Sequence, residues 1–292
     1  MIKIKHFIVV AIASIVVYAC SSNPNNGFVQ FDHSGQALKD NDTLVKYLAN
    51  HYYDTSSETI LPLAEGKTAL IDDVNLTTDD ITENEIDYKL YVYKVREGSP
   101  DPVKGFPTSI DSILTKYEGS RLLSATSVEV FETQSAAVWF TLDGVIRGWS
   151  HGFTHFKGGE NITGNGPITY VNGGKGYLFI PSGLAYRNSD RGNIPANSSL
   201  IFEIDLYDIV EHTDHDNDGV PSSLEIEDAS VQADPRLVNT DSDQFPNYRD
   251  DDDDNDGVLT RDEDANGDGD PRNDFNDPNN PTLPDYLNPK IN

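Results

Sequence analysis

Residues 144–153 read GVIRGWSHGF. A β-branched pair, Val145 and Ile146, runs into a tryptophan with glycines close on both sides, and the pattern that follows fits a short helix over residues 148–156. Around this stretch the chain breaks into short apolar runs: YKLYVYKVREG (88–98), SILTKYEG (112–119), SVEVFE (127–132), AVWFTL (137–142), KGYLFIP (175–181) and SLIFEIDLYDIV (199–210). Runs rich in Tyr, Val, Ile and Phe with Gly, Pro, Asn and Ser between them read as strands and turns. Several strands and one short helix predict an α+β domain built on an antiparallel sheet. In that frame Trp149, at the start of the helix, lies flat as the floor of an apolar cleft between helix and sheet.

The charge divides the chain in two. It has 292 residues and a formal net charge of -28. Residues 211–292 hold 24 acidic against 5 basic side chains, most of that excess. Nucleic acids and anionic lipid surfaces reward Lys and Arg, so the balance argues against both as partners.

The N-terminus, MIKIKHFIVVAIASIVVYAC, places Lys3 and Lys5 ahead of an apolar run too short to span a bilayer comfortably. It reads as a secretory signal over residues 1–19. Val17-Tyr18-Ala19-Cys20 resembles a bacterial lipobox, in which cleavage precedes the cysteine and the cysteine is acylated. Cys20 is the only cysteine, which excludes an intrachain disulfide and suits lipid attachment. Residues 20–27 then form a tether. An N-terminal extension is expected over residues 28–86, in which Leu44, Tyr47, Leu48 and His51 stand at helical spacing, with Asp40 or Asp42 as the cap.

Three ordered motifs carry a family resemblance: VIRGW followed by GF (145–153), FIPSGLAYR (179–187) and IPANSSLIFEIDLYDI (194–209). Residues 87–211 resemble the FKBP-type peptidyl-prolyl cis-trans isomerases. The resemblance implies an FKBP-like antiparallel sheet wrapped on one short helix, and an aromatic pocket. Trp149 is its floor, and Val145 and Ile146 precede the tryptophan and bring a backbone amide to the substrate carbonyl. Tyr186 donates its hydroxyl to a substrate carbonyl, Ile194 and Phe202 are walls, and Tyr117, Phe131 and Val138 are further walls. Glu132 stands where the family usually has Asp, and Arg187 where Gly usually follows the tyrosine. An insertion at residues 159–174 is expected to lengthen a loop near the cleft. The implied activity is isomerisation of X-Pro bonds in proline-containing client polypeptides, with no cofactor.

Other arrangements are weaker. His151 and His155 stand four apart and read as an exposed helix face rather than metal ligands, for want of a third ligand. NGGKG lacks the outer glycine and the Ser or Thr of a phosphate loop.

The acidic stretch, residues 212–292, has its own pattern. Residues 214–225, DHDNDGVPSSLE, fit D-x-D-x-D-G-x5-E, the spacing that surrounds Ca²⁺ with hard oxygens and turns at a glycine. The ligands are Asp214, Asp216, Asp218, the Val220 carbonyl and Glu225, with Ser222 at the ninth place direct or through water. Residues 252–263 repeat the pattern with Asp252, Asp254, Asp256, the Val258 carbonyl and Glu263. A partial third copy offers Asp264, Asn266 and Asp268. Prolines interrupt most candidate flanking helices, and the stretch resembles thrombospondin type 3 repeats, in which structural calcium replaces an apolar core. A calcium-dependent, loop-rich region with little regular structure is expected.

The whole reads as a lipid-anchored isomerase of the bacterial cell envelope, on the periplasm-facing side of the outer membrane, assisting extracytoplasmic folding. The alternative is a non-catalytic calcium-dependent binding or scaffold lipoprotein.

Overall fold

Alternation within three strands fixes the architecture. In the computed structural model, which describes residues 31–225 and 234–291, β10 (Leu200–Val210) sends Leu200, Phe202, Ile204 and Leu206 to one apolar cluster and Ile201 to another. The strand β4 (Ile86–Arg96) likewise divides Leu90 and Val92 from Tyr91 and Tyr93. So does β9 (Gly174–Ile180), with Leu178 and Ile180 on one face and Tyr177 and Phe179 on the other. A period of two with both parities apolar means a sheet covered on both faces.

That sheet has six antiparallel strands in the order β3-β4-β9-β10-β5-β6, completed by β3 (Leu76–Glu83), β5 (Ser112–Ser124) and β6 (Ser127–Thr141). It reaches back into the segment expected as an N-terminal extension, since its edge strand β3 ends at Glu83. One face carries the short helix α2 (Arg147–Gly152) followed by a 3-10 turn (Phe153–His155). The other carries α1 (His33–Ala49), which buries Leu44, Tyr47 and Leu48 against Tyr91, Tyr93 and Phe179. Full burial of each such side chain is worth about 1.5–3 kcal/mol.

The helix α1 differs from its sequence expectation in two ways. Asp40 is no cap: the helix begins seven residues earlier, and the buried Asp40 carboxylate accepts from Ser182 N–H (2.8 Å), Ser182 Oγ (2.6 Å) and Gln36 Nε2 (2.7 Å). His51 lies beyond the helix and opens β1 (His51–Asp54), which pairs with β2 (Thr59–Pro62). The inserted residues 159–174 form a small hairpin of β7 (Glu160–Asn161) and β8 (Tyr170–Val171). Tyr170 stacks on Tyr207 at 5.7 Å and donates to Asp208 at 3.0 Å, so the hairpin leans on β10 and does not lengthen a loop at the cleft.

Beyond β10, the described residues hold only 3-10 turns and loops, and they cluster with residues 33–211 as one unit. Cys20, the signal segment and the tether lie outside the described residues. Among the described residues no helix is long and apolar enough to cross a membrane.

Candidate functional site

The site grows from the entry into α2. Ile146 sits before the helix in an extended conformation (φ -63°, ψ 143°), and its carbonyl accepts from Trp149 N–H at 2.8 Å. That bond opens the helix, and the Trp149 ring packs into the apolar cluster with Ile180 and Phe202. Gly148 is needed beside it, because a Cβ there would stand 2.4 Å from Ile180.

Four rings meet Trp149 edge to face: Tyr117 (4.9 Å, 83°), Phe202 (5.1 Å, 84°), Phe153 (5.1 Å, 67°) and Phe140 (5.4 Å, 85°). Phe131 meets Phe202 in the same manner at 5.8 Å. Such pairs add about 0.5–1.5 kcal/mol each beyond the area they bury, and they leave the indole face as the base of a cavity of about 520 Å³. Its wall holds Tyr117, Phe131, Glu132, Phe140, Val145, Ile146, Tyr186 and Phe202 together. Ile194 lines an adjoining recess with Phe131, Glu132 and Tyr186.

Three residues were not visible from the sequence. Phe140, not Val138, forms the wall at this end of β6: Val138 is 37% exposed and absent from the cavity. Gly119 lets two walls close, since a Cβ there would lie 2.5 Å from Phe131 and 2.8 Å from Phe202. Arg236, from beyond residue 211, reaches the cavity edge.

The polar atoms are few. Burial, and after it the neighbouring Glu132 carboxylate, pushes the Tyr117 hydroxyl up to about 12. The same two causes in the same order raise Tyr186, over whose ring Arg191 stands at 5.9 Å. Both phenols therefore remain protonated hydrogen-bond donors at neutral pH.

Residues 104–207 match the FKBP-type peptidyl-prolyl cis-trans isomerase family. The chain is 33% identical over 108 residues to FK506-binding protein 2 of Debaryomyces hansenii, a match covering 36% of this chain and 69% of that relative. The chain belongs to the FKBP-type peptidyl-prolyl cis-trans isomerase family. It is also 31% identical over 118 residues to the FKBP-type isomerase FkpA of Escherichia coli, of whose length the chain spans 37%. The crystal structure of that FkpA is similar at 27% identity over 45% of this chain and 52% of the other, with a TM-score of 0.33.

Where FKBP-type chains usually have glycine, Arg187 adopts φ 57°, the left-handed region that costs an ordinary residue roughly 1–2 kcal/mol. Its N–H and carbonyl are both engaged, with Ser182 O (2.8 Å) and Asn197 N (2.7 Å), which hold the conformation. The histidine pair is not an exposed face. His151 is half-buried beside Arg147 (3.1 Å), and burial followed by that cation lowers its pKa; His155 Nε2 lies 2.6 Å from Asp79.

The acidic region lies beyond the FKBP match and docks beside the pocket. Arg147 bridges Glu83 (3.1 Å) and Asp234 (3.3 Å), and Arg236 shares Asp234 (2.9 Å). Asp143, whose side chain is fully buried, pairs with His215 (3.3 Å) and Arg249.

Two loops repeat one backbone design. Gly219 (φ 98°) and Gly257 (φ 96°) each donate at 3.2 Å to the first aspartate of their loop, Asp214 and Asp252. Val220 and Val258 donate to Asp218 (2.7 Å) and Asp256 (2.8 Å). Within each triplet, Asp214/Asp216/Asp218 and Asp252/Asp254/Asp256, one carboxylate oxygen per residue lies within 4.8 Å of the others. Asp241, Asp243 and Asp250 form a third such group, which the sequence reading did not assemble. Both oxygens of Glu225 and of Glu263, and one each of Asp216, Asp218, Asp252, Asp254 and Asp256, are buried without a hydrogen-bond partner. Burial first, then the neighbouring carboxylates, push Glu225 up to about 10 and Glu263 up to about 8. An oxygen-only, anionic donor set of this kind fits Ca²⁺. Ser222 differs from expectation: its buried hydroxyl is engaged by His215 N–H (3.1 Å) and Nδ1 (2.9 Å), so it is not turned to a ligand position.

Proposed function

We propose that this chain is a peptidyl-prolyl cis-trans isomerase acting on proteins that fold outside the cytoplasm. The observation that carries the reading is the ring of Tyr117, Phe140, Phe153 and Phe202 around Trp149, which makes an aromatic base for the cavity of about 520 Å³. An X-Pro amide rotates slowly, over a barrier of about 18–20 kcal/mol, because rotation breaks amide resonance. No nucleophile is required. The prolyl ring seats on the indole face, and Ile146 N–H and the Tyr186 hydroxyl receive substrate carbonyls. Ile146 N–H suits the task, having no hydrogen-bond partner among the described residues. The twisted amide is less polar than the planar one and loses less on entering an aromatic cavity, so the cavity binds it preferentially and lowers the barrier.

In this reading Glu132 holds Tyr117 at the wall, taking the role of the family's shorter aspartate. Calcium, bound by the loops of residues 214–225 and 252–263, supplies positive charge among buried carboxylates and so orders the C-terminal region. Cys20 carries the lipid that holds the protein to the periplasmic side of the bacterial outer membrane.

The test is the rate of cis to trans relaxation across a panel of X-Pro peptides with the full chain. Acceleration supports the isomerase. No acceleration with any X, while calcium still binds, would favour a non-catalytic calcium-dependent scaffold.

A further inference from the structure

We infer that Asp253 is a ligand of the cation held by the first loop, so that the second loop completes the first loop's site. The inference rests on the calcium reading of the two loops and extends it.

Asp253 is not part of the D-x-D-x-D-G pattern, in which the second loop uses Asp252, Asp254 and Asp256. Asp253 sits in the turn that Asn255 N–H closes on the Asp252 carbonyl (3.1 Å), outside the carboxylate triplet of its own loop. Asp253 is 1% exposed, and neither of its carboxylate oxygens has a hydrogen-bond partner. An unpaired carboxylate so buried is among the costliest groups a fold can hold. Its charged surroundings say where it points. After burial, the largest influences on Asp253 are Asp218 and Asp216 of the first loop, and Asp253 in turn acts on Glu225. The Asp253 carboxylate thus faces carboxylates of the first loop.

The equivalent residue of the first loop shows the same geometry. Asp253 N–H meets Thr260 Oγ1 at 3.3 Å as His215 N–H meets Ser222 Oγ at 3.1 Å, so the two occupy the second position of matching loops. His215 reaches back to Asp143, in the unit before its loop. Asp253 reaches back to the first loop in the same sense.

The donor count agrees. Asp214, Asp216, Asp218, the Val220 carbonyl and a bidentate Glu225 offer six oxygens, and Ser222 at the ninth place is engaged by His215. Asp253 supplies a seventh, within the six to eight that Ca²⁺ takes. Because Asp253 stands between Asp252 and Asp254, filling the second loop presents it to the first. The two cations therefore bind cooperatively.

The experiment is a Ca²⁺ titration of the full chain by calorimetry, with Glu225→Gln and Glu263→Gln assigning the two sites. Asp253→Asn should weaken the site that Glu225→Gln abolishes by at least about tenfold, the scale on which even outer partners of a metal act. It should leave the site assigned by Glu263→Gln within about threefold and remove the cooperativity. Thermal unfolding separates ligation from a structural role. In chelator, Asp253→Asn should unfold no earlier than wild type, since it removes repulsion, and in Ca²⁺ it should unfold earlier. Unchanged affinity at the first site, or equal destabilisation with and without Ca²⁺, overturns the assignment of Asp253. Wild-type protein that binds no Ca²⁺ at either loop overturns the calcium reading itself and the assignment with it.

Discussion

Arg147 Nη2 stands 3.3 Å from Asp234 Oδ2, and Arg147 lies between Ile146 and Gly148 in the turn that sets Trp149. Asp143, four residues earlier, is held by His215 and Arg249. The turn beneath the cavity is thus gripped from outside by residues of the acidic region, and Arg236 of that region reaches the cavity edge.

Asp143→Asn should loosen that grip. The variant keeps the shape and loses the charge that both partners address, a change worth about 1–3 kcal/mol for a buried hydrogen-bonded group. Limited proteolysis should cut residues 212–291 faster, and peptide KM should rise more than kcat falls. An unaltered digestion pattern would mean that the contact does not hold the region in place.

Gly119→Ala should close the cavity without dismantling the fold. The added methyl meets Phe131 at 2.5 Å and Phe202 at 2.8 Å, so those rings must move. Overpacking of this kind costs about 1–3 kcal/mol. The expected outcome is a modest loss of melting temperature and at least about a tenfold loss of kcat/KM for X-Pro peptides. A fully active Gly119→Ala would show that these two rings do not define the site.

Asp40 gives a pH dependence with a definite sign. Burial raises its pKa, and the bonds from Ser182 and Gln36 only partly offset the rise. The folded chain therefore binds this proton more readily than the unfolded chain. The resulting stabilisation is full below the ordinary aspartate value and is lost as pH rises through the folded value. Denaturant titrations of wild type and Asp40→Asn should diverge in the variant's favour as pH rises above the ordinary aspartate value. Parallel curves would contradict the burial argument.

Tyr186→Phe keeps the ring and removes the donor. Its hydroxyl is expected to act on orientation, so kcat/KM should fall about five- to thirtyfold, the equivalent of roughly 1–2 kcal/mol for one hydrogen bond. Melting should hardly change, because Tyr186 is only partly buried. No kinetic effect would remove the hydroxyl from the mechanism.

Much of this was legible where local pattern decides structure. The alternation in β4, β9 and β10 and the helix at Trp149 follow from periodicity. The edge strand β3, LTTDDITE, was not, because its polar residues face solvent and leave little apolar signal. Phe140 escaped notice because β6 carries register shifts against β5, between Thr115 and Tyr117 and again past Gly119, and each shift resets which side chains face the cleft. The contacts of Asp143 with His215 and Arg249 join residues far apart in sequence, and spacing does not encode them.

In the proposed function, the cradle around Trp149 speeds X-Pro rotation. The most direct measurement is the cis to trans relaxation rate of an X-Pro peptide with wild type and with Trp149→Leu, whose fold is verified by circular dichroism. Acceleration by wild type that falls at least about tenfold in the folded variant is the predicted result. A folded Trp149→Leu as active as wild type would contradict it.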